Sequence, residues 1–172
     1  GFLHIGAIRT ALFAYLYAKA NKGKFILRIE DTDQERFVPG AVEDIQEQLK
    51  WLGINWDEGP VFQSKRLDHY QKYARELLEN DKAYYCFCSK ERLDTVRKEQ
   101  ETNKQAFLGY DGLCKGISLN EAAQRIKKGE KAVVRFKIPT EGKTILEDSI
   151  RGRVEFENNI QDDLVILKAD GF

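Results

Sequence analysis

Residues 24–33 read Lys24-Phe25-Ile26-Leu27-Arg28-Ile29-Glu30-Asp31-Thr32-Asp33, and this stretch decides the fold. Its first six positions favour a short strand, which stops abruptly at a cluster of carboxylates. Open α/β sheets place their ligands beyond the carboxyl ends of strands, so Glu30, Asp31 and Asp33 stand where a binding site is expected. Asp and Thr also close strands by bonding nearby backbone groups with no ligand present. The residues alone favour that plainer reading.

Working outward, the segments on either side carry helical spacing. Upstream, Ile5, Ile8, Leu12 and Leu16 form one stripe directly after Gly1-Phe2-Leu3-His4. Downstream, Val42, Ile45, Leu49 and Leu52 predict an amphipathic helix closed by Gly53, with the short apolar run Ile54-Asn55-Trp56 after it. Ser64 is placed to cap a further helix bearing Leu67, Tyr70, Ala74, Leu77 and Leu78. Helix, strand, helix, strand, helix is the rhythm of a parallel α/β sheet.

The rhythm changes at Ala83. Tyr84-Tyr85-Cys86-Phe87-Cys88 leads into a charged stretch from Ser89 to Gln105 that reads as a solvated helix. Ser118-Leu119-Asn120-Glu121 is a capping box, and Gly129 ends the short helix it starts. Val133 to Ile138 and Val154 to Glu157 alternate as antiparallel strands do, with Arg151-Gly152-Arg153 as a turn. Residues 83–160 are therefore expected to form an α+β insertion, and residues 161–172, with the apolar run Leu164-Val165-Ile166-Leu167, a strand returning to the first half.

The chain has 172 residues, 42% hydrophobic and 33% charged. No stretch reaches the roughly 18 to 20 apolar residues of a membrane span, and no basic segment precedes an apolar signal core, so a cytoplasmic protein without membrane partners is expected. Methionine is absent, and both ends are expected to be cuts in a longer chain. Net charge is zero, but residues 82–137 hold 13 Lys and Arg against 7 Asp and Glu. A basic segment in an otherwise acidic chain suits a polyanion or a plain solvated face.

His4-Ile5-Gly6-Ala7 opens the first helix, where free amides and the helix dipole favour a phosphate and Gly6 allows close approach. A histidine there can donate to charge developing on a phosphoryl oxygen. Together with Arg9-Thr10-Ala11-Leu12, with Leu27 to Arg36, with Lys50-Trp51-Leu52-Gly53 and with Gln63-Ser64-Lys65-Arg66-Leu67, this segment resembles the glutamyl-tRNA synthetases over essentially the whole chain. Ala7 departs from the wider class I signature, which has a second histidine there.

The resemblance implies a fold class of α/β, namely the first half of a Rossmann-like class I synthetase catalytic domain (1–82) with an α+β acceptor-binding insertion. It implies ATP-dependent attachment of glutamate to tRNA through a glutamyl-adenylate, with Mg2+ accompanying ATP. His4 and Gly6 would contact ATP, and Glu30 would hold the ammonium of glutamate. Asp31, Asp33 and Arg36 would border the pocket and the acceptor end. Lys90, Arg92, Arg97, Lys98, Lys115, Arg125, Lys127 and Lys128 would offer charge to the tRNA acceptor arm. The whole enzyme is expected to be a monomer, and this chain alone inactive.

The three cysteines, Cys86, Cys88 and Cys114, all fall in the insertion. A cytosolic chain would not pair them as disulfides, and three thiolates leave a tetrahedral zinc site one ligand short. Tyr110 stands where zinc-bearing members of the resembled family supply a phenolate, which makes Cys86, Cys88, Tyr110 and Cys114 a candidate zinc site. Free cysteines as small buried hydrophobes are the other reading. Two alternatives to the ligase remain at this point, a glutamyl-queuosine tRNA synthetase and a nonenzymatic module that binds zinc and RNA.

Overall fold

The computed structural model describes residues 2–33, 38–105 and 107–171. The chain divides into two units, Gly1–Leu67 and Asp68–Phe172.

In the first unit, helix α1 (Ile5–Ala20) leads to strand β1 (Ile26–Ile29), helix α2 (Ala41–Trp51) and strand β2 (Glu58–Phe62). β1 and β2 pair in parallel, so β1, α2 and β2 make the crossover unit that the alternating rhythm predicts. The second strand lies at 58–62 rather than at Ile54-Asn55-Trp56. Ile54 is instead a buried plug, packed with Phe25 and Leu49 into one core on which Ala11, Tyr15, Ala18 and Trp56 close. β2 contains Gly59 and Pro60, residues that ordinarily weaken a strand interior. The register shows why they fit: Ile26 faces Glu58 and Arg28 faces Val61, so Leu27 opposes both Gly59 and Pro60 across a bulge. Gly59 has φ +105°, and a Cβ there would lie 2.4 Å from the Leu27 carbonyl oxygen.

α1 packs by Ala11, Tyr15 and Ala18, with Tyr15 edge-on to Phe25 at 5.7 Å between ring centroids. The expected stripe is mostly exposed: Ile5, Leu12 and Leu16 are 81%, 41% and 54% accessible. Apolar residues surround this helix on more than one side, so periodicity could not choose the face.

Helix α3 (Leu67–Glu79) starts at the last residue of the first unit, and the second unit continues from it through β3 (Ala83–Cys86), α4 (Lys90–Thr102), α5 (Leu119–Lys127), β4 (Val133–Phe136), β5 (Lys143–Asp148), β6 (Gly152–Glu157) and β7 (Val165–Leu167). The Ser89 hydroxyl caps α4 by accepting the Arg92 amide, and Ser118 caps α5 by accepting the Glu121 amide, as the capping box predicts. β3, β4 and β7 form one antiparallel sheet in that order. β5 and β6 form a separate hairpin.

Two differences from expectation stand out here. The run 164–167, expected to return to the first half, pairs with β4 inside the second unit, because Val134 and Arg135 offer it a free sheet edge. The 133–136 strand does not pair with 152–157, whose partner is β5, a strand whose exposed, weakly alternating sequence gave no signal.

Asp163 ties this sheet to its surroundings. Its buried carboxylate accepts the Tyr84 hydroxyl at 2.7 Å, the Ile138 amide at 2.9 Å and the Lys115 ammonium. A buried carboxylate so fully bonded replaces most of the water it gave up.

Candidate functional site: a strand-end carboxylate cluster and a sulfur cluster

In the first unit, His4 is the residue before α1, in extended conformation, with its carbonyl accepting the Ala7 and Ile8 amides at 2.9 and 3.1 Å. Its exposed ring makes no capping bond to the helix. A Cβ on Gly6 would stand 3.2 Å from two ring atoms of His4, so glycine there lets the imidazole lie over the first turn. With Ala7 and Ile8 bonded to the His4 carbonyl, the amides of Ile5 and Gly6 are the ones left without an acceptor within the helix, as at any helix start.

Glu30 and Asp31 follow β1 directly. Glu30 is exposed and pairs with Arg28 two residues back, on the same face of the strand. Asp31 is half-buried and accepts both the amide and the hydroxyl of Ser64. Burial alone would raise its carboxyl, but the two Ser64 bonds outweigh that and hold it below the usual carboxylate range. Ser64, expected to cap α3, thus serves Asp31 from a 3-10 turn over Gln63–Arg66. Asp33 is half-buried in the same loop, and Arg36 lies outside the described residues. His69 is exposed on α3, as its position in the helical pattern suggested.

The second unit brings Cys86, Cys88 and Cys114 together, with every Sγ within 4.8 Å of the others. Cys86 ends β3, Cys88 precedes α4, and Cys114 lies in a turn before α5. The Tyr110 hydroxyl is 3.4 Å from the Cys88 sulfur and accepts the Cys114 amide at 2.8 Å. Gln100 fixes the loop before it: its side-chain amide donates to the Gly109 carbonyl and accepts the Gly109 amide. Asp162 accepts the Tyr110 amide. Neither Gln100 nor Asp162 carried any sequence signal, since each acts by contacts distant along the chain.

Tetrahedral zinc–thiolate bonds of about 2.3 Å space the sulfurs roughly 3.8 Å apart. The Cys88 and Cys114 sulfurs are 3.6 Å apart, so the donor set of three sulfurs and a phenol oxygen fits such an ion. Burial pushes the Cys88 thiol up to about 11 and the Tyr110 hydroxyl up as well. Burial works the same way on Cys86, but the Tyr110 hydroxyl, the Cys88 amide and the Arg135 guanidinium outweigh it and bring that thiol down.

Of the basic residues expected at an RNA surface, Lys90, Arg97, Lys98, Lys127 and Lys128 are exposed, with Arg97 pairing to Glu101 one turn along α4. The other three are engaged within the unit. Lys115 donates to the Ile138 carbonyl and pairs with Asp163, Arg92 pairs with Asp111, and Arg125 pairs with Glu130 while covering the Phe87 ring at 3.9 Å. Among the described residues, no helix is long and apolar enough to cross a membrane.

A family model described as "tRNA synthetases class I (E and Q), catalytic domain" matches residues 1–172. The chain belongs to this family. Among similar members, glutamate–tRNA ligase 1 of Caldanaerobacter subterraneus subsp. tengcongensis is 52% identical over 171 residues, covering 99% of this chain and 35% of its own length. Glutamate–tRNA ligase of Finegoldia magna is 50% identical over 190 residues, covering all of this chain and 39% of its own length. The glutamate tRNA ligase of Elizabethkingia meningosepticum, solved in complex with its amino acid, superposes with a TM-score of 0.85 at 39% identity, over 99% of this chain and 37% of that one. The chain thus spans little more than a third of the length of the synthetases it resembles. Its α/β first unit agrees with the Rossmann-like fold expected of the family's catalytic domain.

Proposed function

We propose that this chain supplies part of the activation site and the acceptor-arm platform of a glutamate–tRNA ligase. The observation that carries the reading is the position of Glu30 and Asp31 at the carboxyl end of the parallel strand β1, where α/β sheets bind ligands, with Asp31 locked by Ser64. The names of the relatives support glutamate as the amino acid and favour the ligase over the queuosine-directed paralogue.

In this reading the α-carboxylate of glutamate attacks the α-phosphate of ATP, which is bound with Mg2+. Pyrophosphate leaves, and a ribose hydroxyl of the tRNA's terminal adenosine then takes the acyl group and releases AMP. No side chain acts as nucleophile, so catalysis rests on placement and on stabilising charge at the phosphoryl oxygens. The first-turn amides of α1 receive a phosphate, His4 donates to a phosphoryl oxygen, and Gly6 leaves the approach open. Glu30 exchanges its Arg28 partner for the ammonium of glutamate. Asp31, Asp33 and Arg36 border the pocket and the acceptor end.

The segment from Ala83 onward is the acceptor-arm platform, and the β7 pairing supports extending it to Leu167. Lys90, Arg97, Lys98, Lys127 and Lys128 supply phosphate contacts that set register without reading sequence. Cys86, Cys88, Tyr110 and Cys114 hold a structural zinc that pins β3, the start of α4 and the loop before α5 to one point. The site works in a soluble cytoplasmic enzyme that acts as a monomer.

The test is a chimaera in which this chain replaces the matching segment of the Caldanaerobacter ligase. Glutamate-dependent ATP–pyrophosphate exchange by the chimaera, and none by the 172-residue chain alone, is expected; a folded chimaera without exchange would contradict the proposal.

A further inference from the structure

Arg135 is 7% exposed, and among the described residues no carboxylate lies within ion-pair distance of it. Its Nη1 donates to the Asp163 backbone carbonyl at 2.7 Å, and among the described residues its buried Nε has no acceptor. Its Cζ sits 4.1 Å from the centre of the Tyr110 ring. A buried cation costs several kcal/mol unless an opposite charge stands close. The neighbouring carboxylates are committed elsewhere, Asp163 to Tyr84, Lys115 and the Ile138 amide, and Asp162 to the Tyr110 amide.

Two of the proposed zinc ligands lie against this cation, the Tyr110 ring under the guanidinium and Cys86 beside it. With protonated thiols and phenol the cluster carries no charge, whereas a divalent zinc held by three thiolates and a phenolate carries two negative charges in excess. Resting on the zinc reading above, we propose that Arg135 is the buried counter-charge of that complex. Lying over the Tyr110 ring, it also fixes the orientation of the one proposed ligand that is not a thiol. Arg92 contributes from the other side: its Nη1 donates to the Cys88 sulfur at 3.5 Å, while Asp111 holds the guanidinium in place and offsets part of its charge. Both arginines are positioning residues that touch ligands rather than the ion.

The experiment measures zinc content and affinity, by competition with a chromophoric chelator, for the parent chain and for Arg135→Gln, Arg135→Lys and Arg92→Gln. The parent is expected to bind one zinc; if it binds none, the zinc reading itself fails, a result distinct from failure of the arginine role. Arg135→Gln is expected to keep one zinc but to bind it about 10- to 100-fold more weakly, with Arg135→Lys recovering most of the loss. Cobalt-loaded parent and variants should share one sulfur-to-metal absorption band, because the ligands are unchanged. Should Arg135→Gln fail to fold, the Lys variant and the partly exposed Arg92→Gln, expected to lose about ten-fold, carry the test. Parent-like affinity in the folded Gln variants would overturn the proposal, as would a cobalt band lost in step with affinity.

Discussion

The carboxylate of Asp31 accepts both the amide and the hydroxyl of Ser64, 33 residues further on, and so joins the end of β1 to the turn that follows β2. The loop bearing Glu30 and Asp33 is thereby fixed from the neighbouring strand. Ser64→Ala is expected to cost about 1–3 kcal/mol, the range for a lost bond to a charged, half-buried group. Both tryptophans, Trp51 and Trp56, belong to the first unit, so the urea midpoint followed by tryptophan fluorescence reports on that unit.

The same pair sets a pH dependence. Asp31 titrates below its ordinary value in the folded state, so its stabilising contribution is complete above the unfolded value of about 4 and is lost as pH falls through the lower folded value. Between about pH 6 and pH 3 the parent is expected to lose stability more steeply than Ser64→Ala. Parallel profiles would remove Asp31 from the account.

Gly59→Ala introduces a Cβ 2.4 Å from the Leu27 carbonyl oxygen at a φ of +105°. The variant is expected to lose well over about 1 kcal/mol, because strain adds to the clash. An unchanged fluorescence midpoint would show that the bulge can rearrange.

What could be read from residues alone follows from locality. The helices from Val42 and from Ser118, the strand ending at Glu30 and the basic middle segment all express themselves within a few residues. Ser64 was misassigned because its partner is 33 positions away, and a serine before a helical pattern looks like a cap. α1 presented two apolar faces, and only the packing of Tyr15 on Phe25 selects one. The cysteine spacing suggested a cluster, but the role of Arg135 depends on β4 lying beside β3, which no local pattern encodes.

Tyr84→Phe removes one donor from the buried Asp163 carboxylate and is expected to destabilise the second unit by about 1–3 kcal/mol. Thermal unfolding followed by far-ultraviolet circular dichroism should show the loss. An unchanged midpoint would contradict this placement of Asp163.

For the metal, Cys86→Ser beside the parent should lower bound zinc from one per chain to a small fraction, measured by elemental analysis after gel filtration. Equal zinc in the two would remove Cys86 as a ligand.

The most direct measurement of the central claim is charging of tRNA with glutamate by the Caldanaerobacter chimaera carrying this chain, with and without Glu30→Gln. The account predicts that the chimaera forms glutamyl-tRNA and that Glu30→Gln lowers kcat/KM for glutamate at least about 100-fold, as expected for loss of a charged partner worth roughly 3 kcal/mol, with the KM for ATP little changed. A folded chimaera that charges no glutamate, or one indifferent to Glu30→Gln, would contradict it.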